Sequence, residues 1–189
     1  MMGAPFHHPE PMTADEFFAF TATRPDEERW ELIDGEPIMN ASASFLHQLI
    51  VKNLVIELAR LEAAADPPWI SIPGIGVRIS DVNVPVPDVL VRPKTPVSGS
   101  ECDDMIVAFE VLSPSTGYRD LRWKRRAYSS LPTLQHYIIV AQDAIEVLSF
   151  ERSDGFRERR FEGLDLNLNL RALGISLPLV KIYATIELS

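Results

Sequence analysis

Two acidic residues, each alone in an apolar segment, are the positions of this chain best suited to chemistry. Glu110 is the single charge between Met105 and Leu112, and Asp88 is the single charge between Val84 and Val91. Burial of an isolated carboxylate is costly unless the group is paired, protonated or bound to a cation. If the two segments pair as antiparallel strands, both acids enter one oxygen-rich site of the kind that binds Mg²⁺.

A cation that could reach these acids is predicted on the helix that follows. Residues Asp120 to Leu131 have a helical pattern that ends before Pro132. Asp120, Lys124 and Tyr128 are spaced at i, i+4 and i+8, so they share one helix face. We therefore predict that Lys124 reaches the two carboxylates.

The same helix is the most basic stretch of an otherwise acidic chain. Its candidate contacts to a phosphate backbone are Arg119, Arg122 and Arg125. Trp123 adds an aromatic face on which a base could stack. The stretch therefore predicts a nucleic-acid-binding surface beside the two acids.

These residues also have a purely structural interpretation. A buried Glu110 next to Lys124 fits a structural ion pair, and a run of arginines fits a solvated helix face. Trp123 fits a packing residue equally well. His47, near the start of another predicted helix, fits a proton carrier, a metal ligand or a hydrogen-bonded structural residue. The spacing alone leaves these alternatives open.

Length and composition bound the class of protein. The chain has 189 residues, the size of one domain, and 46% of them are hydrophobic. No run approaches the ~20 apolar residues of a membrane span, and residues 1–11 lack the pattern of a secretory signal. The single cysteine, Cys102, excludes an internal disulfide. We expect one domain over residues 1–189, in the cytoplasm, without membrane contact and with a flexible segment at residues 1–11.

The net charge restricts how the chain could act on nucleic acid. It has 18 basic and 27 acidic residues, which gives −9. A protein that coats nucleic acid through many phosphate contacts needs the opposite balance. An enzyme that uses carboxylates to hold a metal ion and a few local cations to hold phosphate is compatible with this charge.

The other elements follow from local patterns. Helices are predicted over Thr13 to Thr23 and Ser44 to Ala65, a hairpin around Asp34-Gly35, and strands over Ile75 to Ser80, Val84 to Val91, Met105 to Leu112, Tyr137 to Val140, Ile145 to Phe150 and Phe156 to Phe161. The strand ending at Leu112, the basic helix and the next strand form a predicted βαβ unit. The segment from Leu164 to Leu188 has no readable functional pattern.

Several short motifs together resemble one family. They are Glu31-Leu32-Ile33-Asp34-Gly35-Glu36, Ser44 with His47, Pro87-Asp88, Phe109-Glu110-Val111-Leu112-Ser113-Pro114-Ser115-Thr116, and Asp120 with Lys124 and Tyr128. This set resembles the Uma-type family of bacterial endonucleases, once labelled a domain of unknown function and placed in the PD-(D/E)xK, or restriction-endonuclease-like, superfamily. The resemblance spans residues 12–183, and the block from Glu110 to Thr116 is its most specific part.

The resemblance implies a fold and a set of site residues. The fold is α/β (α+β), a restriction-endonuclease-like core with a central mixed β-sheet flanked by helices. Asp88 and Glu110 are the expected metal-binding acids, and Glu31 matches the N-terminal acid that completes the catalytic set. The superfamily expects a lysine where this chain has Leu112, and Lys124 on the next helix is the substitute. The resemblance also implies a homodimer.

Three functions are compatible with these residues. The leading hypothesis is hydrolysis of phosphodiester bonds in DNA, or alternatively RNA, with Mg²⁺ or Mn²⁺ held by Asp88 and Glu110 and charge stabilised by Lys124. The second is a catalytically inactive module of the same fold that binds nucleic acid or a partner protein. The third is a glycoside hydrolase using the two carboxylates as acid and base, which would need an aromatic sugar-binding groove beside them.

Overall fold

The computed structural model describes residues 10–25, 27–96, 99, 101–112 and 118–186, except for the side chains of residues 118–121. The helices in this part are α1 (Ala14–Thr21), α2 (Phe45–Ala65), α3 (Tyr118–Ser129) and α4 (Leu179–Ile182). The strands are β1 (Trp30–Ile33), β2 (Glu36–Met39), β3 (Trp69–Pro73), β4 (Gly76–Val77), β5 (Val89–Pro93), β6 (Glu101–Cys102), β7 (Val107–Leu112), β8 (His136–Ala141), β9 (Glu146–Glu151), β10 (Glu158–Glu162), β11 (Asn167–Leu170) and β12 (Ile175–Pro178).

A mixed sheet of six strands, in the order β10-β9-β8-β7-β5-β3, forms the centre of the fold. Strands β7 and β8 are parallel, as expected for the βαβ unit that α3 completes, and β5 pairs antiparallel with β7. The other neighbours in the sheet are antiparallel. The predicted architecture, a central mixed sheet flanked by helices, is confirmed.

Side-chain alternation along β7 explains how one strand serves two layers. Val107, Phe109 and Val111 pack into the core that contains α2, because successive side chains of a strand point to opposite faces. Ala108 belongs to the core on the other face, where Tyr128 of α3 packs. Glu110 has the same parity as Ala108 and therefore points toward α3.

Side-chain caps fix where the first two helices begin. The predicted capping box of α1 is present, with the Thr13 hydroxyl accepting from the Glu16 amide at 3.3 Å and the Glu16 carboxylate accepting from the Thr13 amide at 2.8 Å. Ser44 caps α2 by accepting from the His47 amide at 3.1 Å. The Ser44 hydroxyl also donates to Gln142, the residue after β8, at 2.7 Å. The first turn of α2 is therefore tied to the end of a central strand.

Two strand predictions needed correction. The segment Val84 to Val91 is a strand only from Val89, because Pro85 and Pro87 lack the amide hydrogens that a sheet ladder needs. Strand β3, which begins one residue after Pro68, was not predicted, and the extended segment expected from Ile75 is reduced to Gly76–Val77. Asp88 consequently lies just before a strand rather than inside one.

The remaining predicted elements occur with small shifts of their bounds. All three predicted helices, the hairpin and the strands after α3 are present, and the tail forms β11, β12 and α4. Within the described residues, no helix combines the length and the apolar character that crossing a bilayer requires. The first nine residues, to which most of the expected flexible segment belongs, lie outside the described part.

The hairpin turn is a position where only glycine fits. Asp34 and Gly35 both have positive φ, 51° and 80°, as a two-residue hairpin loop of this hand requires. A Cβ on Gly35 would lie 2.6 Å from the Cβ of Pro11. We expect Gly35→Ala to lower the free energy of unfolding by about 2–3 kcal/mol, through backbone strain and this clash.

Urea denaturation measures this effect, and Gly155→Ala is the matched control. Gly155 also has a positive φ, of 72°, but a Cβ there meets nothing within 4 Å. The control should lose about 1 kcal/mol, from the backbone conformation alone. Equal losses in the two variants would contradict the contact between Gly35 and Pro11.

Candidate active site

One lysine joins two acids from different parts of the fold. The Nζ atom of Lys124 lies 3.0 and 3.1 Å from the two carboxylate oxygens of Glu110 and 2.9 Å from Oε1 of Glu31. The side chains of Lys124, Glu110 and Glu31 are 15%, 6% and 4% exposed, respectively. The structure thus brings Lys124 to Glu110, as the helix spacing predicted. Its second partner is Glu31 and not Asp88, since the described residues show no ion pair between Lys124 and Asp88.

Glu110 is surrounded on the α3 side of the sheet. The Tyr128 hydroxyl donates to its Oε1 at 2.8 Å, so the helix face predicted to carry Lys124 and Tyr128 supplies both contacts. The pKa of Glu110 is raised to about 7: burial has the largest effect, Lys124 opposes it, and the carboxylates of Asp88 and Glu31 add to it. The charge on Glu110 therefore depends on Lys124 and on both other acids.

Asp88 is held just before β5 by two hydrogen bonds. Its Oδ2 accepts from the Val111 amide at 2.7 Å, and its Oδ1 lies 3.0 Å from Nε2 of His47. The register of β5 on β7 pairs Val89 with Phe109, so Asp88 lies across from Glu110. The two segments pair antiparallel as predicted, and the amide that Asp88 binds follows Glu110 directly.

Glu31 connects the hairpin to the segment that carries Asp88. It lies in β1, next to the hairpin turn, as predicted. Its Oε1 accepts from the Val86 amide at 2.7 Å and also contacts Lys124. The proline-flanked segment before β5 is thereby fixed through a carboxylate of a different sheet.

The donor set of this cluster is the kind that Mg²⁺ takes. Glu110 and Glu31 both contact the Lys124 ammonium, and Asp88 lies across from Glu110. Among the described residues, no group of three or more His, Cys, Asp or Glu side chains could hold a metal ion. Mg²⁺ needs only one or two protein carboxylates with water and phosphate, so Asp88 and Glu110 are the residues that could hold it, and a closed structural zinc site does not fit.

A further polar group lies beside the cluster. The Tyr137 hydroxyl is buried and makes no hydrogen bond within the described part of the chain. Burial raises its pKa well above the ordinary value, and Glu110 raises it further. Tyr137 is therefore a neutral hydrogen-bond donor whose pKa is affected by the nearby acids.

The predicted phosphate contacts are not part of this cluster. Arg122 and Arg125 are exposed on α3, and the guanidinium of Arg125 lies 5.1 Å from the centroid of the Phe150 ring. The side chains of Arg119 and Asp120, and the segment Ser113 to Thr116, lie outside the described residues. Any role of these arginines in binding nucleic acid stays a prediction.

His47 and Tyr128 are site neighbours whose roles the sequence left open. Ser44 sets the start of α2, and His47 then lies in its first turn and reaches Asp88. The spacing of Ser44 and His47 indicated that the two residues belong together at a helix start. It did not indicate that the start of α2 packs next to Asp88. The amides of Val86 and Val111 hold two of the acids, but a backbone contact of this kind cannot be predicted from residue type.

Lys124 is the lone ammonium in this buried cluster, so its removal is informative. We expect Lys124→Met to cost about 3–5 kcal/mol of unfolding free energy, because Glu110 and Glu31 would stay buried without their cation. Lys94→Met is the matched control, since Lys94 pairs with Asp66 where both side chains are exposed. It should leave the urea midpoint nearly unchanged. Similar midpoints for the two variants would mean that the acids are neutral or hydrated when Lys124 is absent.

Comparison with known proteins shows what the chain is similar to. A search of curated proteins gives no match. Among solved structures, a putative nuclease belonging to DUF820 from Anabaena variabilis has a TM-score of 0.72 and 16% identity, covering 92% of this chain and 98% of that one. At this identity the likeness shows a shared fold. The model of the Uma2 family, described as "Putative restriction endonuclease", matches residues 14–180. Since this match spans most of the sequence, the chain belongs to the Uma2 family.

Proposed function

We propose that this protein is a metal-dependent endonuclease that hydrolyses phosphodiester bonds in DNA. The observation that carries the proposal is that Asp88 lies across from Glu110, whose carboxylate contacts the Lys124 ammonium. Two neighbouring carboxylates repel one another, and a divalent cation between them would relieve that repulsion. The description of the Uma2 family and the name of the Anabaena protein support nuclease chemistry.

In this proposal two of the three acids bind the metal ion. Asp88, just before β5, lies across from Glu110 within β7, and these two acids would hold Mg²⁺ or Mn²⁺. When bound, such an ion polarises the phosphate and neutralises charge that develops on its oxygens. The Val111 amide and His47 orient the Asp88 carboxylate, while Tyr128 orients that of Glu110.

Lys124 acts as a charge and not as a base. Burial lowers its pKa, but the carboxylates of Glu110 and Glu31 outweigh that effect and hold the pKa well above its ordinary value. A lysine that stays protonated donates hydrogen bonds and stabilises negative charge on the phosphate. Glu31 positions this ammonium from the hairpin side.

The alternative is a nuclease-like module without catalysis. It is favoured by Leu112 at the usual lysine position and by the engagement of Lys124 with two acids of its own chain. In that case the cluster would serve stability alone and would not respond to divalent ions. Homodimer formation, which the family resemblance implies, is likewise a proposal.

Removal of either metal-binding acid should abolish cleavage. We expect Asp88→Asn and Glu110→Gln to reduce Mn²⁺-dependent degradation of plasmid and oligonucleotide DNA by at least about a hundredfold, because one carboxylate is lost from the ion. Asp103→Asn, an exposed acid outside the cluster, is the matched control. Wild-type rates in both site variants would refute the assignment.

Metal binding separates the two candidate functions without a substrate. Titration calorimetry should give Mn²⁺ binding in the wild type that both site variants lose. At a hundred times Kd, the ion should stabilise the fold by about 2.7 kcal/mol in a thermal-shift series against EDTA. A shift absent from the wild type, together with no cleavage of DNA, would favour the non-catalytic module.

His47 should tune the affinity of the metal site through Asp88. We expect His47→Ala to weaken Mn²⁺ binding about 10–100-fold, as loss of a group that orients a metal-binding carboxylate does. His47→Gln should restore part of the affinity, because its amide can donate to Asp88. Unchanged Mn²⁺ affinity in His47→Ala would instead give this histidine a structural role.

A further inference from the structure

A groove with a volume of about 600 Å³ adjoins the acid cluster between α1 and α2. His47 lines it, as do two acids, Asp88 and Glu28, and α2 residues as far along as Ile56. At a rise of 1.5 Å per residue, this lining extends roughly 13 Å along the helix. The volume lies in the range of roughly 300–1,000 Å³ that is typical of ligand pockets. A short length of an extended chain fits such a groove, whereas a double helix does not.

Two cations in the groove are available to a ligand. Arg29 and Lys52 line it and are exposed. Neither side chain makes an ion pair or hydrogen bond with the part of the chain that the structure describes. The guanidinium of Arg29 lies against Gly74, where a Cβ would be 3.6 Å from its Nη1. In a chain of net charge −9, free cations in the groove that leads to the acids attract an anionic ligand.

Aromatic rings form the other wall of the groove. The Trp30 indole is fixed, since its Nε1 donates to Glu28 at 2.8 Å and the Phe20 ring meets it edge-on with centroids 5.0 Å apart. Phe18 of α1 also lines the groove and is half-buried. Proteins that bind single-stranded nucleic acid combine aromatic rings, on which the bases stack, with cations that contact the phosphates.

We propose that this groove binds an unpaired strand of nucleic acid, with bases on Trp30 and Phe18 and phosphates at Arg29 and Lys52. The inference rests on the proposed function and names its substrate as a single strand, or a single-stranded stretch beside a duplex. The recessed acids favour it, because the side chains of Asp88 and Glu110 are only 17% and 6% exposed. A single strand can bend into such a site, whereas a duplex has a persistence length of about 50 nm.

Binding without cleavage tests the groove by itself. The full chain would be titrated in EDTA into fluorescein-labelled oligo-dT, oligo-rU and a duplex of equal length, followed by anisotropy. The double variant Arg29→Ala with Lys52→Ala is compared with Arg157→Ala and Arg171→Ala, a pair of exposed arginines that do not line the groove. Both double variants change the net charge equally, so long-range electrostatics are matched.

We expect the wild type to bind at least one single strand more tightly than the duplex. The groove variant should lose about tenfold in that affinity and show a smaller salt dependence, while the control stays within about twofold. Phe18→Leu, which keeps an apolar side chain, should also weaken binding. Three results would overturn the proposal. They are equal losses of affinity in the two double variants, tighter binding of the duplex than of either single strand, and no binding of oligo-dT or oligo-rU by the wild type.

The outcome is separable from that of the proposed hydrolysis. Loss of strand binding in the groove variant with full cleavage in Asp88→Asn and Glu110→Gln would support the groove and refute the metal site. Metal-dependent cleavage that Asp88→Asn abolishes, with strand binding indifferent to Arg29 and Lys52, would support the site and refute the groove.

Discussion

The contact of one lysine with two buried carboxylates organises this molecule. Lys124 comes from the helix that crosses between two parallel strands, Glu110 from the central sheet and Glu31 from a separate hairpin. Because a charged acid in that environment is costly without a cation, the ammonium stabilises the burial of the three elements against one another. The same contact that assembles the layers therefore creates the acidic site.

A second constraint acts through backbone amides. Asp88 and Glu31 each accept a hydrogen bond from a main-chain N–H, of Val111 and Val86, respectively. Prolines on either side of Val86 limit the conformations of that segment. The Val86 amide, which lies between two residues without an amide hydrogen, is therefore held in a defined position to donate to Glu31. Carboxylates held in this way lose little freedom when they bind an ion, which is the condition for a site of defined geometry.

The parts of the fold and site that sequence could predict are those that depend on neighbours along the chain. A lone acid in each of two apolar runs indicated where the site is, and helical spacing placed Lys124 and Tyr128 on one face. Strand β3 was not predicted because it begins just after Pro67-Pro68, where the end of the long helix is the stronger pattern. The contact of His47 with Asp88 and the groove between α1 and α2 depend on how helices dock, and local periodicity contains no record of that docking.

The cap of α2 has a consequence for how this sequence can change over time. Ser44 binds both the first turn of its own helix and Gln142 at the end of β8, so His47 is anchored at the N-terminal end of a helix of 21 residues. An inserted residue after this cap would turn every later position of the helix by about 100° and take Leu58, which is 0% exposed, out of the core. The helix is therefore fixed in length as well as in position, and changes of length are expected in the loops on either side of it.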